Sequence, residues 1–123
     1  MTSLPFALAG GLAATWLLIH LIWGGRDIAR PLVRATSLDP VVRHTQYLCW
    51  HFTSVAIGCM AIFFGWAALS GPIAMATAGT LLALGFFCVG VGLVAALRES
   101  HARLPQGWLF LPVAALGLWG HLA

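Results

Sequence analysis

No Asp, Glu, Lys or Arg occurs before Arg26, between Thr45 and Leu97, or after Arg103. The six basic and three acidic side chains fall into two short stretches, 26–43 and 98–103, and everything else is apolar or weakly polar. A soluble chain of 123 residues must cover its outside with polar groups, and so few charges do not suffice. With 61% hydrophobic residues and a mean hydropathy of +0.96, the excess apolar surface calls for lipid. The length leaves room for one domain.

The charge-free runs set the element count. Crossing the hydrocarbon takes about 20 helical residues. The runs predict four membrane helices over about residues 4–24, 45–69, 72–97 and 105–122, the last one short. They are continuous, whereas a barrel needs short strands alternating apolar with polar residues. The expected fold is therefore all-α, an integral membrane four-helix bundle running up-down-up-down.

Charge placement gives an orientation. All basic residues are arginines: Arg26, Arg30, Arg34 and Arg43 in the first loop, Arg98 and Arg103 in the third. Asp27, Asp39 and Glu99 accompany them, and neither terminus carries a charged side chain. The positive-inside rule places these loops in the cytoplasm and both termini on the non-cytoplasmic side, in a bacterial inner membrane by this reading. Arginines so placed point to membrane lipids as partners and not to nucleic acid. The start, MTSLP, has no basic residue ahead of its long apolar run, so the first helix is expected to stay as a span. Cys49, Cys59 and Cys88 form no CxxC pair, which argues against disulfides and thiolate metal sites.

Local signals subdivide the polar stretch. Gly24-Gly25 can loosen the end of helix one, and Pro31 suits the first turn of a short interfacial helix over about 31–38. Asp39-Pro40 reads as the cap and first position of helix two. Ser70-Gly71-Pro72 predicts a tight turn between helices two and three. Small residues, among them Gly10 with Ala14, Ala61 with Gly65, Gly85, Gly92, and Ala114 with Gly117, offer sites of close helix approach. A face left over could join copies in a homo-oligomer.

The chemistry-bearing residues gather near the charged loops. On helix two, His44, Tyr47, His51 and Ser54 repeat at three- and four-residue spacing, which is one helical face. Trp16, His20, Trp23 and Asp27 repeat the pattern on helix one. A polar face within a membrane should turn towards protein or water. His20 and His51 lie roughly 6–9 Å inside the boundary at 1.5 Å per residue, so antiparallel helices can bring them to one level. Asp27, His44, Arg43, Glu99 and His101 would then lie just above.

Imidazoles and carboxylates suit a transition metal ion, with His20, His51, Glu99 and Asp27 as candidate ligands. Haem b is the related expectation. It would use His20 and His51 axially, His44 nearby, and Arg26, Arg30 and Arg43 for anionic groups. Neighbouring helices packed about 8–10 Å apart leave little room for a porphyrin between their facing histidines, an objection that a dimer interface would remove. The segment IHLIWGG, residues 19–25, resembles the first helix of small haem- or copper-associated four-helix membrane proteins. The likeness spans seven residues and assigns no site.

Three other readings stand beside the cofactor pocket. Both histidines can be structural, bonded to a carbonyl or hydroxyl one turn away. The chain can be an accessory or scaffold subunit of a larger membrane complex. As an oligomeric proton-linked transporter or channel it would relay protons through His44 and His51, although the outer half carries no buried charge. Enzyme motifs are missing: no glycine-rich phosphate loop and no nucleophile elbow occur, and Cys49 points about 200° away from His51.

Overall fold

A computed structural model describes residues 3–123. It contains four helices and, among the described residues, no strand. Helix α1 spans Leu4–Arg34, α2 Pro40–Ala68 and α3 Ile73–Ala96. Helix α4 is Leu111–Leu122, led in by a 3₁₀ turn at Gln106–Phe110. Three of the four, α1 to α3, are long and apolar enough to cross a membrane.

Helix α1 differs from the expected pattern. It does not end at the glycine pair but continues to Arg34, and its middle stretch, His20–Ala29, is π-helical. There the Arg30 N–H donates to the Gly25 carbonyl, an i→i−5 bond. Two adjacent glycines make the widened turn sterically easy. In a regular α-helix the Pro31 ring would also crowd the carbonyl of Asp27, and the π register ends just ahead of that proline. Residues 31–34 thus belong to α1, with no separate interfacial helix over 31–38. Ala35 is extended, and its carbonyl accepts from Arg43 Nη1 at 3.0 Å.

The helix ends follow local chemistry. Asp39 caps α2, its carboxylate accepting the Val41 N–H at 2.9 Å, with Pro40 next in line. At the far end Ser70 adopts a left-handed conformation (φ 73°), and the Gly71 N–H closes back on the Trp66 carbonyl at 3.0 Å. A Cβ at Gly71 would collide with Trp66, so this position requires glycine. Helix α3 ends the same way, with Arg98 at φ 55° and the Glu99 N–H on the Val94 carbonyl. Both are Schellman closures with a side chain where glycine is usual.

The core is built around Phe64, Met60 and Val113, all fully buried. Small residues let the backbones approach Phe64. A Cβ on Gly79 would stand 3.0 Å from its ring, and one on Gly117 would meet both that ring and Thr80 Oγ1. Gly10 faces Gly65 and Ala61 just as closely, at 3.1 Å and 3.3 Å. Gly85 and Gly92, by contrast, face nothing. The closest approach of two backbones joins α3 to the 3₁₀ turn, where a Cβ on Gly90 would lie 2.6 Å from Gly107 Cα. The Ser3 N–H donates to the Ala68 carbonyl, and Trp16 Nε1 donates to the Leu109 carbonyl at 2.8 Å. These two bonds tie α1 to α2 and to the 3₁₀ turn that leads into α4.

Candidate functional site

The site grows from Trp50. Tyr47, Trp50, Ser54 and Ile57 share the inward side of α2, at spacings of three, four and three. Trp50 stacks on His20, with ring centroids 4.4 Å apart and planes 19° from parallel. His20 Nε2 lies 3.1 Å from Ser54 Oγ, and the Ser54 hydroxyl donates to the Trp50 carbonyl at 3.1 Å. With the hydroxyl proton so committed, Nε2 carries the hydrogen and donates to Ser54, which leaves the lone pair on Nδ1. Nδ1 faces Gly24, where an added Cβ would come within 3.8 Å.

Beside this pair a cleft of about 590 Å³ opens between α1, α2, α3 and the 3₁₀ turn. Its walls are mostly aromatic and aliphatic, with Trp16, Trp23, Trp50, Phe86, Leu109 and Phe110 prominent. The polar groups that border it include His20, Asp27, Thr53 and Gln106. The Gly90–Gly107 crossing lies along the same wall. A second cleft, of about 520 Å³, opens on the other side of Trp50 and is bordered by Arg26, Arg30 and Arg34.

The expected site residues separate. His20 stands in the first cleft. His51 is exposed and packs edge-on against Trp50 and Tyr47, at 5.1 Å and 4.6 Å. Both imidazoles thus pack on one indole and not on each other. His44 is exposed. Asp27 borders the cleft, but its carboxylate is clamped by Arg26 through two bonds of 2.6 Å and 3.1 Å. Glu99 pairs with Arg103 at 3.8 Å, and His101 accepts from Trp108 Nε1 at 3.2 Å. Arg30 lines the second cleft, whereas Arg43 holds the Ala35 carbonyl. Among the described residues, no group of three or more His, Cys, Asp or Glu comes together to hold a metal ion. His20, His51, Asp27 and Glu99 therefore do not form one ligand set.

No family model, curated protein or solved structure matches this chain.

Sequence reading placed neither Trp50 nor Gln106 in a site, and it counted Arg34 only among the loop arginines. Trp50 was legible, because it sits three residues after Tyr47 and four before Ser54. His51 fits the same spacing rule from its other side, and the periodicity alone favours neither. Arg34 was obscured by the expected break after Gly25.

Proposed function

We propose that the chain is an integral membrane protein that holds a flat, lipid-soluble cofactor in the cleft beside His20. The single observation behind this reading is the cleft itself. At about 590 Å³ it has the size of a small-molecule site, and such sites typically measure about 300–1,000 Å³ and are mainly apolar with a few convergent polar groups. The indoles of Trp16, Trp23 and Trp50 along the cleft suit an aromatic ring system, and His20 supplies one imidazole, its ring fixed by Ser54 and Trp50. Haem b belongs to this cofactor class. In that form His20 is the protein's one imidazole at the cleft, and the bis-histidine pairing with His51 drops out of the proposal.

In this reading the four helices run up-down-up-down through a bacterial inner membrane, with both termini outside and the arginine loops in the cytoplasm. The one-sided arginines support that orientation. The pairing of Ser3 with Ala68, and of Phe6 with His121, supports the antiparallel order. The cleft then opens near the cytoplasmic headgroups, and its role is to hold or hand over a redox cofactor.

The test is purification in mild detergent, followed by an absorption spectrum and mass spectrometry of the organic extract from the same fraction. A ring compound near one per chain is expected. It should be lost on Val89→Trp, which fills the cleft from an exposed position, and weakened by His20→Ala. A protein with no such compound, or one that both variants retain in full, would refute the proposal.

A further inference from the structure

The second cleft has a different chemistry. One wall is the extension of α1, which presents Arg26, Arg30 and Arg34, and the other is formed by Tyr47 and Trp50 of α2. Leu21 and Ile22, both exposed, border it towards the apolar part of α1.

The π-helical stretch is what keeps the three arginines in one row. Four residues of α-helix overshoot a full turn by about 40°, whereas four residues of the wider i→i+5 turn fall short of one. Arg26 to Arg30 runs through the π segment, and Arg30 to Arg34 through α-helix. The two offsets oppose each other, and the three arginines border a single cleft. Arg26 is already committed to Asp27. Arg30 and Arg34 have no carboxylate partner among the described residues. Like charges one turn apart repel, and an anion between them reverses the sign of that interaction.

We infer that this cleft binds the headgroup of an anionic phospholipid, with Arg30 and Arg34 on the phosphate and Leu21 and Ile22 beside the acyl chains. Guanidinium groups match phosphate oxygens in a two-pronged geometry. Basic pockets between membrane helices on the cytoplasmic side are sites of this kind, and Tyr and Trp favour headgroup depth. The size agrees. A volume of about 520 Å³ falls within the roughly 300–1,000 Å³ of small-molecule sites, more than a lone phosphate fills. The inference shares the bilayer setting of the cofactor proposal but not its site, since Trp50 alone borders both clefts.

Native mass spectrometry of the full chain tests it, with titration by phosphatidylglycerol, by phosphatidylcholine of the same acyl chains, and by inorganic phosphate. Wild type should retain phosphatidylglycerol in preference to phosphatidylcholine. The Arg30→Gln/Arg34→Gln double variant should lose that affinity by about 30-fold at low salt, about fivefold for each arginine. Arg98→Gln/Arg103→Gln removes equal charge elsewhere and should lose far less. Arg30→Lys/Arg34→Lys, which keeps the charge and protects against misfolding, should fall between wild type and the glutamine pair. Equal retention of the two lipids, or equal loss in the two glutamine pairs, would overturn the inference. So would inorganic phosphate that displaces the lipid in an Arg30- and Arg34-dependent way, since that marks a site for a soluble anion.

Discussion

Replacing Gly90 with Ala tests the crossing that shapes the apolar cleft beside His20. The new Cβ would lie 2.6 Å from Gly107 Cα and 3.1 Å from Gly107 N, where ordinary contact begins at 3.4 Å. Both neighbours are backbone, so no side chain can rotate away. Either α3 or the 3₁₀ turn must retreat by about 0.8 Å, and overpacking of this kind typically costs about 1–3 kcal/mol. Gly92 provides the control. It lies on the same helix one turn-half away and faces nothing within 4 Å.

Gly to Ala in a helix interior also gains about 0.5–1 kcal/mol of backbone propensity. That gain applies to both variants, so their difference isolates the crossing. The assay is equilibrium unfolding in mixed micelles of mild detergent and dodecyl sulfate, followed by circular dichroism. Gly92→Ala should be more stable than wild type by roughly 0.5–1 kcal/mol, and Gly90→Ala less stable than Gly92→Ala by about 1–3 kcal/mol. Gly107→Ala should behave like Gly90→Ala, because its Cβ would meet Val91 N at 2.8 Å. If Gly90→Ala and Gly92→Ala agree within about 0.5 kcal/mol, the backbones do not touch there and the cleft wall is misplaced.

Three further outcomes are expected. Trp16→Phe removes the donor to the Leu109 carbonyl and should cost about 1 kcal/mol in the same unfolding assay; no loss would mean that the bond from α1 to the 3₁₀ turn is absent. Ser70→Gly places glycine at φ 73° and should stabilise by up to about 1 kcal/mol, while a destabilised protein would contradict the left-handed turn. Ser54→Ala leaves His20 Nε2 only the Trp50 carbonyl, at 3.4 Å. It should cost about 0.5–1.5 kcal/mol and shift the imidazole nitrogen resonances of His20 but not those of His101, and unchanged His20 signals would count against the bond.

The number and type of helices were legible because they depend on composition. Confining all charges to 26–43 and 98–103 leaves runs that only helices can carry through lipid. The Asp39-Pro40 start was equally readable, since capping is decided by adjacent residues. Close-approach positions were read less well. Gly10, Gly65 and Gly117 do meet a neighbour or lie at a crossing, but Gly85 and Gly92 face empty space, and Gly79, Gly90 and Gly107 carry some of the tightest contacts. A glycine marks permission for two backbones to meet, and whether they do depends on a partner helix that sequence spacing does not locate.

The divided site has one cause, the helical register of α1. At strict α-helical pitch, residues at four-residue spacing drift round the helix by about 40° per step, so a row such as 22, 26, 30 and 34 would spiral out of any single groove. The π stretch from His20 to Ala29 offsets that drift. Ile22, Arg26, Arg30 and Arg34 then line one cleft, and Trp16, His20, Gly24 and Ile28 line the other. Trp50 stands where the two rows part, which is why it borders both. The helix that carries His20 and the arginines thus offers two neighbouring surfaces: an aromatic one that faces the bundle and a cationic one along Arg26, Arg30 and Arg34. A reading at 3.6 residues per turn throughout places Trp16, His20 and Asp27 on one face but does not align Arg26, Arg30 and Arg34 along one groove.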